Sequence, residues 1–193
     1  MVPDKATVPP DYFRRLYRLS EDPWDFAGSS YEHEKYLATL AALPRERYRS
    51  ALELGCSIGV FTRLLAERCE EVLAVDVSVD ALISAARRCA GLARVRFAPC
   101  DLCRAFPAGD YDLVALCELG FYFSPPDLAR IREAIARVLE RDGDLILVHW
   151  TPPVNGHAQT AEQVHSAFLG DPRFVARTNA VAPTYRLDVV SRA

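Results

Sequence analysis

From Ser50 to Trp150 the chain alternates short apolar runs with segments of helical period, and this rhythm limits the possible folds more than any other feature. The runs are 50–55 (SALELG), 71–76 (EVLAVD), 94–100 (RVRFAPC), 111–117 (YDLVALC) and 144–150 (DLILVHW). Nearly continuous apolar strands are buried on both faces, which is the mark of a parallel sheet with helices above and below it. Right-handed crossovers then restrict the connections. The intervening helices are expected at 59–69, 80–90 and 126–140, the last started by Pro125-Pro126 and ended by Gly143. Only a turn or a short helix fits between the third and fourth strands. A helix at 161–169 precedes two final runs, 173–181 and 185–191, which read as an antiparallel pair at the sheet edge. The expected fold is therefore a doubly wound α/β domain with a mainly parallel seven-stranded sheet.

The 193 residues suit a single domain, and half of them are hydrophobic. Residues 1–45 read as a helical extension or lid, with helices at 10–20 and 30–43. The first turns Phe13, Leu16, Tyr17 and Ser20 to one face, and Ser30 is the expected cap of the second. Residues 46–193 form the α/β domain. The net charge of −3 argues against a nucleic-acid surface. No stretch reaches the roughly 18 apolar residues of a membrane span, and the start lacks the apolar run of a secretion signal. A cytoplasmic protein is expected, with its six cysteines as free thiols. Cys100 and Cys103 have C-x-x-C spacing but no second pair, so no metal site is expected.

The first strand stops at Gly55 and passes through Cys56, Ser57 and Ile58 to Gly59. In such sheets ligands bind beyond the carboxyl ends of the strands. Gly55 would free the backbone and leave room for a ligand, and Gly59 would let the helix pack tightly on the strand. Asp76 ends the second strand, where an acid can accept both hydroxyls of a ribose. A dinucleotide site would use G-x-G-x-x-G to admit a pyrophosphate. Here Glu53 stands two residues before the first glycine, and its charge repels phosphate but suits a cation. S-adenosylmethionine, which carries a sulfonium and an ammonium and no phosphate, fits better than NAD.

The segments E-L-G-C-S-I-G and A-V-D-V-S resemble the first two motifs of class I S-adenosylmethionine-dependent methyltransferases. D-P-W at 22–24, Y-E-H-E-K at 31–35, G-C-S-I-G at 55–59, C-E-L-G-F-Y-F at 117–123 and V-H-W at 148–150 together resemble the nodulation protein S family of small N-methyltransferases. The resemblance implies that Gly55 and Cys56 lie along the methionine moiety, that Asp76 binds the ribose and that Val77 meets the adenine. Asp101 would accept from the adenine amino group, with the Leu102 amide beside it. Trp24 and Tyr31 would close the pocket, and Cys117 would border it. Ser57 stands where the broader superfamily has a glycine.

Methyl transfer from a sulfonium is an in-line displacement, so positioning supplies much of the rate. An amine nucleophile must also lose a proton. Glu118, His149 and Tyr122 are the candidate catalytic residues, with Trp150, His157 and His165 lining the acceptor side. By resemblance the acceptor is an amine on an amino sugar or similar small molecule. O-methylation and a non-catalytic partner protein are the alternatives.

Overall fold

The computed structural model describes residues 6–193. Two helices, α1 (Pro10–Leu19) and α2 (Ser30–Ala41), precede the α/β part. There follow β1 (Tyr48–Leu54), α3 (Val60–Leu65), β2 (Cys69–Asp76), α4 (Val79–Arg88), β3 (Val95–Pro99) and β4 (Tyr111–Cys117). The chain ends with α5 (Pro125–Val138), β5 (Leu139–Trp150), α6 (Ala161–Leu169), β6 (Phe174–Val181) and β7 (Tyr185–Arg192).

The seven strands form one sheet of order β3-β2-β1-β4-β5-β7-β6. Pairs among β1 to β5 are parallel, and β7 runs antiparallel to both β5 and β6. The expected doubly wound fold is thus present. From β1 the chain moves outward to β2 and β3, then returns to place β4 on the other side of β1. The order reverses between β1 and β4, and this opens a crevice beyond their carboxyl ends.

Period-2 alternation sends Leu52, Leu54, Val114, Leu116, Leu145 and Leu147 to one face, under Ile131 and Ile135 of α5 and Phe168 of α6. Ala51, Leu113, Ala115 and Ile146 face the other way, toward Tyr36 of α2, Phe61 and Leu65 of α3 and Leu82 of α4. Each fully buried leucine contributes roughly 1.5–3 kcal/mol relative to exposure. Glu53 shares the second face with these apolar neighbours, so a carboxylate is carried into the core by strand geometry alone.

Several local expectations change. Ser29, not Ser30, caps α2, its side chain accepting from the Glu32 amide. Helix α3 is shorter than its apolar pattern implied. In α1 Tyr17 is buried and Phe13 and Leu16 half-buried, while Ser20 is exposed. Gly143 does not end α5. The helix stops at Val138, and Asp142 (φ 60°) and Gly143 lie in the irregular stretch of β5 where its register with β4 shifts. As expected, β3 and β4 are joined by a turn without a helix.

Candidate active site

A cavity of about 880 Å3 lies over the carboxyl ends of β1, β2 and β4, at the switch point of the sheet. The turn after β1 forms its floor. The amides of Gly55 and Cys56 both donate to the Val75 carbonyl, at 2.8 and 2.9 Å. Gly55 has φ 75°, and a Cβ there would lie 2.9 Å from Leu119 Cδ2. The room made by this glycine is therefore filled in part by the chain itself. Ser57 holds φ 51°, a left-handed conformation uncommon for a residue with a Cβ. Its amide donates to Asp76 Oδ2 at 2.9 Å, and its hydroxyl accepts from Tyr17 at 2.5 Å. Gly59 does not line the cavity. A Cβ there would meet the Ala85 Cα at 2.9 Å, so it brings α3 close to α4, and not to the strand.

Two carboxylates converge beneath this turn. Asp76 accepts the amides of Ser57 and Ser78, each at 2.9 Å. Burial raises its pKa, and those amides oppose the rise. Glu53 is only 4% exposed and lines the cavity. Its Oε2 has no hydrogen-bond partner among the described residues. Burial pushes its carboxyl up to about 8, with the nearby Asp76 charge acting in the same direction. Asp101 also lines the cavity, and its Oδ1 accepts the Cys103 amide at 3.1 Å. It is at once a turn residue and a wall residue. Val77, Leu102, Cys56 and Cys117 join the lining.

The opposite wall is built around Glu118, which sits at φ 52° just past β4. Its Oε1 lies 2.6 Å from Lys35 Nζ, and its Oε2 accepts the Trp150 amide at 2.9 Å. Lys35 also pairs with Glu32 at 2.9 Å. Tyr122, Trp150 and His157 border the cavity, His157 stacked on Phe121 at 3.9 Å between ring centroids. Trp24 lines it from the N-terminal segment, packed edge-on against Tyr17. Tyr31 stands behind this wall, edge-on to Trp150, with its hydroxyl 2.7 Å from Thr184 Oγ1.

Four expected site residues lie away from the lining: Gly59, Tyr31 and the two histidines His149 and His165. His149 and His165 are both fully buried and neither reaches the cavity. Helix α6 and the inner face of β5 enclose them. The Gly120 amide donates to His149 Nε2 at 2.9 Å, and His149 Nδ1 lies 3.0 Å from His165 Nε2. His149 thus has neither an exposed face nor a spare ring nitrogen for a substrate proton. His165 likewise has both ring nitrogens occupied, by His149 and by Asp188 Oδ2 at 2.5 Å.

The family profile of nodulation protein S (NodS) matches residues 11–182 of the chain. The chain belongs to the nodulation protein S family. Nodulation protein S of Bradyrhizobium diazoefficiens is 30% identical over 155 residues, 77% of this chain and 73% of that one. Its counterpart from Rhizobium tropici is 28% identical over 67% of this chain and 55% of its own length, so the match spans little more than half of that relative. A crystal structure of a candidate methyltransferase from Pseudomonas syringae is 34% identical, covers 85% of this chain and 100% of that one, and has a TM-score of 0.76. The N-methyltransferase NodS from Bradyrhizobium japonicum WM9, in complex with S-adenosyl-L-homocysteine, shares the fold at a TM-score of 0.83 and 20% identity, over 94% and 97% of the two chains.

Against this nodulation protein S background, sequence reasoning passed over two residues of the site. Tyr17 belongs to the apolar stripe of α1, yet its hydroxyl reaches the turn after β1. Lys35 lies inside the quoted Y-E-H-E-K segment and shares the buried side of α2 with Tyr36 and Thr39. A lysine in register with buried neighbours was the available signal.

Proposed function

We propose that this protein is an S-adenosylmethionine-dependent methyltransferase acting on the amine of a small polar acceptor, an amino sugar or a similar metabolite. The observation that carries this reading is the unpartnered, buried Glu53 oxygen beside the glycine turn, in a cavity that also holds Asp76. A buried carboxylate needs a cation or a proton, and the ammonium of a methionine moiety supplies the first. Asp76 would take ribose hydroxyls, and Val77, Asp101 and Leu102 would border the adenine. Glycine-turn amides already spent on Val75 and Asp76 are a poor cradle for pyrophosphate, which disfavours a dinucleotide. The description of the Bradyrhizobium japonicum relative as an N-methyltransferase supports the choice of an amine.

When bound, S-adenosylmethionine supplies an electrophilic methyl carbon on a sulfonium and leaves as the thioether S-adenosylhomocysteine. This chain's residues bind, orient and exclude water. Tyr122, Trp150 and His157 offer flat faces to an acceptor ring. None of the three expected catalytic residues is an available base. His149 is occupied, Glu118 is held by Lys35 and the Trp150 amide, and burial pushes the Tyr122 hydroxyl well up. The acceptor therefore enters as a neutral amine, a form that the apolar lining favours over the ammonium. The proton of the methylated ammonium leaves with the product. Of the expected extension at 1–45, residues 1–5 lie outside the described residues; residues 6–45 would serve as a lid on a single catalytic domain, held through Tyr17 and Trp24. All six cysteines are free thiols, in keeping with a reducing cytoplasm. No helix among the described residues is long and apolar enough to cross a membrane.

Calorimetric titration with S-adenosylmethionine, S-adenosylhomocysteine and NAD tests the cofactor. Binding of the first two alone is expected, and binding of NAD alone would overturn the reading. Transfer of a labelled methyl group to glucosamine oligomers, with N-acetylated oligomers as the control, tests the acceptor. Equal labelling of both would move the proposal to a hydroxyl.

A further inference from the structure

We propose that His149 and His165 form a proton-sensitive latch that holds the Gly120–Tyr122 turn in place, and that one added proton in the pair releases it. The turn follows Glu118 and ends on the cavity-lining Tyr122. Only the description of this turn as the acceptor wall rests on the proposed function. The latch itself rests on the hydrogen bonds.

A chain of bonds runs from the Gly120 amide to His149 Nε2 (2.9 Å), from His149 Nδ1 to His165 Nε2 (3.0 Å), and from His165 Nδ1 to Asp188 Oδ2 (2.5 Å). Its two ends fix its direction. A backbone amide can only donate and an ionised carboxylate can only accept. His149 Nε2 must therefore be bare, its proton must sit on Nδ1, and His165 Nε2 must accept that proton's bond. His165 in turn carries its own proton on Nδ1 and donates it to Asp188. Both rings are neutral, with the same tautomer. Burial pushes the Asp188 carboxyl up, but bonds from His165, Asn179 and Arg186 outweigh this and hold it at about 2.

An extra proton cannot be absorbed along this chain. Placed on His149, it occupies Nε2 and faces the Gly120 amide, donor against donor. Placed on His165, it occupies Nε2 and donates to His149 Nδ1, which displaces the His149 proton to its own Nε2. Either way the conflict arrives at Gly120. There is no slack at that point, because a Cβ on Gly120 would lie 2.8 Å from His149 Nε2 and 2.6 Å from Val164 Cγ1. A buried amide that faces another donor bears its full desolvation cost, so the turn moves out.

The surroundings set the latch closed. Burial lowers the pKa of both rings, and the positive charge of Lys35 on α2 and the facing His165 and His157 lower that of His149 further. Around His165, Asp188 and Arg186 of β7 and Glu162 of α6 act in opposing directions. Acid is thus the condition that opens the turn.

Two isosteric variants separate the halves of His149. A glutamine places its amide oxygen near the Nε2 position, so His149→Gln keeps an acceptor for Gly120 that acid cannot protonate. His149→Asn keeps a group near Nδ1 and leaves Gly120 without an acceptor. The experiment is amide hydrogen exchange of residues 118–123 against pH, with amides of β1 and β4 as internal reference, beside side-chain nitrogen spectra of the wild type. In the wild type, protonated Nδ1 and bare Nε2 are expected on both rings near neutrality. Acid should raise exchange at Gly120 by about tenfold or more relative to the strands. His149→Gln should abolish that acid response, and His149→Asn should show fast exchange at every pH. An Nε2–H tautomer, an imidazolium at neutral pH, or loop exchange that tracks the strands in acid would overturn the latch. The wild-type spectra and pH series decide the matter even where a variant does not fold. No arm uses cofactor or turnover, so a failed titration with S-adenosylmethionine would sink the proposed function and leave this result intact.

Discussion

Lys35 Nζ lies 2.6 Å from Glu118 Oε1, and this single contact joins α2 to the end of β4. Lys35 is buried and Glu118 mostly so, at a backbone position with φ 52°. The pair is a bracket: its acid also fixes the Trp150 amide. Lys35→Met should destabilise the fold by about 3–5 kcal/mol, because it strands a buried carboxylate. Glu118→Gln keeps an acceptor for Trp150 and removes one of the two stranded carboxylates, so the double variant should recover part of the loss, with Glu32 still unpaired. Urea unfolding of the four members of the cycle measures the coupling, and simple additivity would show that the two groups do not act together.

Glu53 links stability to pH. In the fold it stays protonated up to about pH 8, whereas its unperturbed pKa is 4.5. Between those values the native state binds more protons than the unfolded chain, so stability from this group falls as pH rises, by up to about 1.4 kcal/mol per unit. The loss is complete above the folded value. Glu53→Gln should therefore gain on the wild type as pH is raised from about 5 to 8, while it binds S-adenosylmethionine more weakly. Unfolding midpoints of both proteins across that range supply the check, and a constant difference would contradict the buried, protonated acid.

Gly59 makes a contrasting case. Alanine there must adopt φ 77° and place its Cβ against the Ala85 backbone. Left-handed strain and overpacking together should cost about 2–4 kcal/mol. Cofactor affinity of the molecules that remain folded should be unchanged, because Gly59 does not line the cavity. Calorimetry at low temperature tells a packing residue from a binding one.

Tyr17 reaches across from α1 to Ser57. Tyr17→Phe keeps the ring against Trp24 and removes the hydroxyl bond, so a stability loss of about 0.5–1.5 kcal/mol is expected. The larger effect should fall on the lid. Limited proteolysis within residues 10–30 should be faster in the variant than in the wild type, and equal rates would mean that Tyr17 does not tether the extension.

With Glu118, His149 and Tyr122 unavailable as bases, the pH dependence of turnover should belong to the acceptor. Log kcat/KM for an amine acceptor should rise with pH and level off near that amine's own pKa. Comparing two acceptors of different basicity checks this, since an inflection that stays near 6.5 for both would restore a histidine to the mechanism.

Much of this molecule was legible in the sequence, because the information was local. Alternating apolar runs and helical periods depend on neighbours a few residues apart, and they led to the seven-stranded sheet and to the glycine turn after the first strand that floors the cavity. Gly55, Asp76 and Asp101 follow from their places at strand ends, which topology brings together over one crevice. Tertiary structure alone decided the partners. Glu118 and Lys35 are 83 residues apart in the chain, and no periodicity relates an acid at a strand end to a lysine on an earlier helix. His149 looked like a base in sequence, since its intrinsic pKa suits one. Its role is set by the Gly120 amide and by His165, which come from a turn and a helix and occupy both ring nitrogens, and by Asp188 of a later strand, which holds His165. Local chemistry names what a side chain can do, and long-range packing determines which of its atoms remain available to do it.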